Sequence, residues 1–283
     1  MVRGVFLLLC AIPCTSVHAD DFGPRIHELE KQSAVRLGVT ATRATGDRRV
    51  SNRADERFLL CSTFKLFAAA AVLKRVDDHA EQLDRFVPYT EAQLLEYAPV
   101  TRAHVSEGGM KLRDLCAAAV EESDNTAGNL LLGAIGGPPG LTAFWRTMGD
   151  KVTRLDRMEP ELNSAASGDE RDSTTPAAIC ADLQRLLTTD YLSTASRDLL
   201  EDWMTKCQTS AGMIRASVPK DWRIGDKTGR SGEGAANDLA ILHPPHGAPI
   251  FLCIYTAGPK QPTATRKAII AETAKVALQA MQK

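Results

Sequence analysis

The chain has 283 residues, 44% of them hydrophobic and 24% charged, with a formal net charge of −1. That is enough chain to bury a sizeable core in one large domain or two interleaved ones, and the composition is that of an ordinary globular protein. A balance so near neutrality excludes an electrostatic case for binding nucleic acid or an anionic membrane surface.

The first element departs from that average. Arg3 precedes the apolar run Val5-Phe6-Leu7-Leu8-Leu9-Cys10-Ala11-Ile12, and Pro13 leads on to the small-residue end Val17-His18-Ala19. This is the layout of a secretory signal cut after Ala19, too short to persist as a membrane anchor. Residues 1–19 are therefore set apart, and the mature protein is expected in the periplasm or outside the cell. Cys61, Cys116, Cys180, Cys207 and Cys253 remain after the cut. An odd number in an oxidising compartment leaves at least one unpaired. Their wide spacing matches no zinc-ligand pattern, and His243 and His246 flank a Pro-Pro turn, so no metal site is expected.

Ile26 and Leu29 among charged neighbours predict an amphipathic helix over 22–33, and Val35, Leu37 and Val39 alternate as a strand. From Phe58 to about Lys206 the pattern is helical, with candidates at 62–76, 110–121, 124–134, 140–148, 176–189 and 194–206. Gly136-Gly137-Pro138-Pro139-Gly140 reads as a sharp turn between two of them. Strands return at Trp222–Lys227, Asp238–Leu242 and Ile250–Thr256, and a closing helix runs over 263–281. Strands at both ends with helices between predict a mostly antiparallel sheet built from the two termini, and an all-helical domain inserted in the middle.

Four stretches carry chemistry. In Cys61-Ser62-Thr63-Phe64-Lys65, hydroxyl and amine lie three apart at the start of a buried helix, on one face. The positive helix end favours an oxyanion and disfavours a protonated lysine, so Lys65 is placed to take the proton of Ser62. Ser123-Asp124-Asn125 sits at a helix junction, where hydroxyl and amide can point into a cleft or simply cap. Lys227-Thr228-Gly229 ends a strand, and Glu159-Pro160-Glu161-Leu162-Asn163 occupies a long loop from about Arg154 to Asp172. Alone, each pattern has a bland account; all four in this order occur in fewer than roughly one random chain in ten thousand.

Together they resemble the class A serine β-lactamases, over essentially the whole mature chain. The resemblance implies an α+β fold: an antiparallel five-stranded sheet flanked by helices (20–57 and 207–283) with the all-helical domain (58–206) inserted. It implies a monomer that opens the ring of a small-molecule β-lactam through an acyl-Ser62 intermediate, without metal or organic cofactor. The backbone N–H groups of Ser62 and Arg230 would form the oxyanion hole, and Ser123 would relay a proton to the leaving nitrogen, with Lys65 and Lys227 stabilising charge. Asn125 would bind the substrate's acylamide, Lys227 and Thr228 its carboxylate, and Tyr97 would wall the cleft opposite the Lys227-Thr228-Gly229 strand. Glu159 and Asn163 would hold the water that deacylates the enzyme, with Glu159 as general base. Arg157 and Asp172 would close the neck of that loop, and the Glu159–Pro160 bond is expected to be cis.

The chain also departs from the family pattern. Many members carry an arginine or threonine where Ala236 stands, so Arg230, Arg266 or Lys267 is the candidate replacement cation. Partners for the disulfides that some members form through the Cys61 and Cys116 positions are missing, Ser231 and Ala69 standing in their places. A D-alanyl-D-alanine peptidase or penicillin-binding protein shares the serine, lysine and Lys-Thr-Gly elements but lacks a Glu159–Asn163 clamp. A non-catalytic β-lactam sensor would be expected to carry an anchor or a signalling domain.

Overall fold

The computed structural model describes residues 21–164 and 168–282, so the proposed signal segment lies outside the described residues. The chain opens with α1 (Phe22–Ser33), β1 (Arg36–Arg43) and β2 (Arg49–Asn52). β3 (Phe58–Leu59), a 3-10 turn at Cys61–Thr63 and α2 (Phe64–Asp77) follow. Next come β4 (Phe86–Pro88), α3 (Pro99–Ala103), β5 (Gly109–Lys111), α4 (Leu112–Glu121), α5 (Asn125–Ala134) and α6 (Gly137–Thr147). A long loop leads through β6 (Ser173–Thr174) to α7 (Pro176–Thr188) and α8 (Thr194–Thr205). β7 (Arg223–Arg230), β8 (Ala236–His243), β9 (Ile250–Ala257) and α9 (Thr263–Met281) end it.

The two chain ends meet in one five-stranded antiparallel sheet of order β2-β1-β9-β8-β7, an α+β arrangement. β9 is buried on both faces along Ile250–Thr256, which is why it reads as a continuous apolar run rather than an alternation. On one face Leu37, Val39 and Ala41 of β1 join α1 and α9 in a single cluster. On the other face Leu239, Ile241, Phe251, Cys253 and Tyr255 belong to the cluster that fills the helical section, so sheet and helices share this core. α7 lies against β1 and β9. Gly38 permits that approach, because a Cβ there would sit 2.4 Å from the Phe58 ring and 2.7 Å from Pro176.

α2 is buried on every side from Phe64 to Leu73, the signature of a helix at the centre of its layer. Asp124 starts α5 by accepting from Ala127 N at 2.9 Å, and its other oxygen accepts from the N–H groups of Val100 and Thr101. Three local expectations are corrected. Helix 62–76 begins two residues late, at Phe64, because Ser62 and Thr63 belong to the 3-10 turn that starts at Cys61, whose φ is a left-handed 46°. The bend at 136–140 is confined to Gly136 and Gly137, both with left-handed φ, and Pro138 and Pro139 lie within the first turn of α6, where a missing N–H costs nothing. β7 does not stop at Lys227 but runs on to Arg230, held by the Arg230–Ala236 rung of its ladder with β8.

Candidate active site

Four separate elements converge on Ser62. The turn at Cys61–Thr63 lifts its hydroxyl clear of α2, and Asn237 on β8 fixes that turn by donating to Leu59 O at 2.8 Å and Leu60 O at 3.2 Å. β7 passes so close that a Cβ on Gly229 would stand 3.0 Å from Cys61 Cβ, Leu60 O and Ser62 N, so glycine alone lets the strand lie beside the serine N–H. The left-handed φ values of Cys61 and Ser123, 46° and 60°, place local backbone strain on both sides of the cleft.

Lys65, wholly buried, donates to Ser62 Oγ at 3.0 Å, to Ser123 O at 2.8 Å and to Asn125 Oδ1 at 2.5 Å. Burial drives its pKa below the ordinary lysine value, while the Glu159 carboxylate 3.0 Å away pulls the other way. Lys227, equally buried, donates to Ser123 Oγ at 3.0 Å and to Thr228 O at 2.9 Å. Burial lowers it to about 8. Two lysines thus bracket Ser123, Lys65 at its carbonyl and Lys227 at its hydroxyl, and burial weakens the hold of both on their protons.

The loop after α6 supplies the carboxylate. Ser62 Oγ donates to Glu159 Oε1 at 3.0 Å, and Asn163 Nδ2 donates to Glu159 Oε2 at 2.5 Å. The acid therefore faces the serine in direct contact. Arg157 Nε meets Asp172 Oδ2 at 2.5 Å, and Asp172 Oδ1 also accepts from the backbone of Asp156 and Arg157, closing the loop's neck. The Glu159–Pro160 bond is cis.

Ser62, Asn125, Glu159, Asn163, Thr228 and Gly229 line one cleft of about 210 Å³, with Tyr97 and Arg230 at its rim. Tyr97 is 47% exposed and its hydroxyl donates to Glu122 O. Among the three candidate cations, Arg266 donates to Ser231 O and Ala235 O, and Lys267 to Ala211 O. The Arg230 side chain is exposed and makes no hydrogen bond or ion pair among the described residues. It stands directly across the ladder from Ala236, and such partners project from the same face of a sheet. The five cysteines among the described residues are all free and buried. His243 lies against Glu201 at 2.8 Å, and no cluster suited to a metal ion occurs among the described residues.

Two participants escaped the sequence reading. Asn129 clasps the backbone of Glu159 from both sides, Nδ2 donating to its carbonyl and Oδ1 accepting its N–H, each at 2.9 Å. The available signal was its place one helical turn beyond Asn125, on the same face of α5. Thr209 lines the cleft and meets Thr228 Oγ1 at 2.5 Å, from a segment with no pattern of its own.

Comparison with known proteins agrees with this geometry. Residues 22–281 match the model of the Beta-lactamase enzyme family. Beta-lactamase AST-1 of Nocardia asteroides is 45% identical over 94% of this chain and 85% of its own. Beta-lactamase L2 of Stenotrophomonas maltophilia is 47% identical over 88% and 82%. An ancestral class A β-lactamase superposes with a TM-score of 0.89 at 50% identity, covering 92% of this chain and 99% of that one. A putative class A enzyme, PenP of Rhodopseudomonas palustris, gives 0.90 at 46%, covering 93% and 100%. Likeness that runs the length of the chain, on a cleft where serine, two lysines and a carboxylate meet, places this protein among the class A serine β-lactamases.

Proposed function

We propose that the enzyme opens the β-lactam ring by attack of Ser62 and is regenerated by water that Glu159 activates. The Glu159 carboxylate, fixed by Asn163 and Asn129 against Ser62, is the observation that carries this reading. Ser62 Oγ lies 3.0 Å from both Lys65 Nζ and Glu159 Oε1, so the geometry offers either as the base for acylation. Its attack forms the C–O bond and leaves an oxyanion facing the N–H groups of Ser62 and Arg230. Ser123, bound to Lys227, passes a proton to the nitrogen as the C–N bond breaks. Once acylated, Ser62 has no proton to donate to Glu159. The carboxylate and the Asn163 amide are then free to orient water toward the ester, and Glu159 takes its proton.

Lys227 and Thr228 hold the substrate carboxylate, joined by the unpaired Arg230, while the amide of Asn125 binds the acylamide chain. We read the protein as an exported monomer, its first 19 residues being the signal. Nitrocefin turnover with Ser62→Ala and Glu159→Ala tests the mechanism. The first variant forms no acyl-enzyme; the second accumulates one, visible as a mass increase, with turnover reduced by about a thousandfold or more. Stoichiometric acylation of the wild type without turnover would instead indicate a penicillin-binding protein or sensor.

A further inference from the structure

Away from the cleft, a groove of about 630 Å³ runs between the end of α6 and α7, and Asp150 and Asp182 lie at its floor. Both are buried, 9% and 3% exposed, Asp182 Oδ2 has no hydrogen-bond partner among the described residues, and the two carboxyl groups lie close enough to share a proton. Their positions in the chain matter. Asp150 stands where the chain leaves α6 for the Glu159 loop, and its Oδ1 accepts from Val152 N at 2.6 Å and Thr153 N at 3.1 Å. Asp182 stands on α7, the helix that begins where that loop returns. Between them Arg154 N donates to Ser173 O at 3.0 Å and the Thr153 and Thr174 hydroxyls meet at 2.7 Å, so both ends of the loop are stitched at this point.

Two carboxyl groups in contact bond only if one keeps its proton. Asp182 keeps it, since burial and then the charge of Asp150 push it up to about 9. Against the upward push of its own burial, hydrogen bonds from Thr153 and Val152 hold Asp150 below the usual carboxylate range. Arg146 on α6 and Arg185 on α7 face the pair, Lys151 lines the groove, and Cys253 on β9 lies within the field of Asp182. Neither arginine is paired with it. Arg146 Nη1 is taken by Asp150 O and Thr153 O, and Arg185 lies over the Tyr191 ring.

We propose that Asp150 and Asp182 form a proton-dependent clasp at the root of the Glu159 loop, and so act as positioning residues for deacylation. This rests on the reading above that Glu159 drives that step. When solvent hydroxide in the groove takes the shared proton, two carboxylates face each other, the root opens, and Glu159 loses its register with the ester.

Acyl-enzyme decay, followed with nitrocefin in stopped flow and by intact mass, tests it across alkaline pH. The wild-type rate should fall about tenfold between roughly pH 8 and 10, whereas Asp182→Asn, whose amide still donates to Asp150, should hold its rate. Asp182→Leu should decay slowly at every pH. Equal alkaline falls in wild type and Asp182→Asn, or wild-type decay in Asp182→Leu, would overturn the clasp. Thermal unfolding separates this from a failure of the catalytic reading. A raised carboxyl pKa means that the folded state holds a proton the unfolded chain releases. Wild-type Tm should therefore drop relative to Asp182→Asn from about pH 5 to 9 and run parallel above. A constant difference over that range also overturns the clasp.

Discussion

Ser62 and Glu159 touch only because the residues behind them leave no other geometry. Lys65 and Lys227 are wholly buried, and that burial lowers both their pKa values. Lys227 carries its charge below about 8 and loses it above, the reverse of an exposed lysine that stays charged to beyond pH 10. The KM for an anionic penicillin should therefore climb above roughly pH 8 while kcat changes less, a split measurable in steady-state profiles. Lys227→Arg, which does not titrate in this range, should flatten the rise in KM. The residues to which we assign this chemistry, and which the fold brings to one cleft, were legible in the sequence because each belongs to a short pattern. Asn129 and Asp182 belong to none. Their partners, Glu159 and Asp150, lie some thirty residues away in the sequence, and only folding shows that they meet.

The rung between β7 and β8 is the ground on which we assign Arg230 to the substrate anion. Arg230 and Ala236 are opposite one another, so the two positions offer alternative roots for a guanidinium on the same face. Arg230→Ala should raise the KM for a penicillin about tenfold with kcat nearly unchanged, since one charge-assisted contact made in both ground and transition states is lost. Ala236→Arg in that background should recover most of the loss, as steady-state kinetics would reveal; no recovery would mean that the arginine acts elsewhere. At this scale the long elements were readable. The 3.6-residue period marked α1, α7, α8 and α9 to within a residue or so, and the apolar run marked β9. β3 with β6, and β4 with β5, were not, because two or three residues carry no period and their pairing comes from the tertiary fold alone. The continuation of β7 through Gly229 was hidden for a related reason: a glycine that ends most strands is required here by the serine turn behind it.

Across the whole molecule, stability comes from the two apolar clusters on either face of the sheet and from no covalent link among the described residues. The five cysteines should give no rapid reaction with a thiol reagent in the native protein and react fully in denaturant, and reductant should leave Tm unaltered. A reductant-sensitive Tm would reveal a bridge absent from this arrangement. The strand order has a temporal consequence as well. β1 is sandwiched between β2 and β9, and β9 lies about two hundred residues further along the sequence. Pairings so remote in sequence are slow to find, and here β1 must wait for that whole stretch before its neighbour exists. Lys227 and Gly229 belong to the same late-forming sheet, so an unfinished polypeptide holds Ser62 without the strand that walls it. Hydrolytic power arrives all at once, with the closing of the last β-ladder.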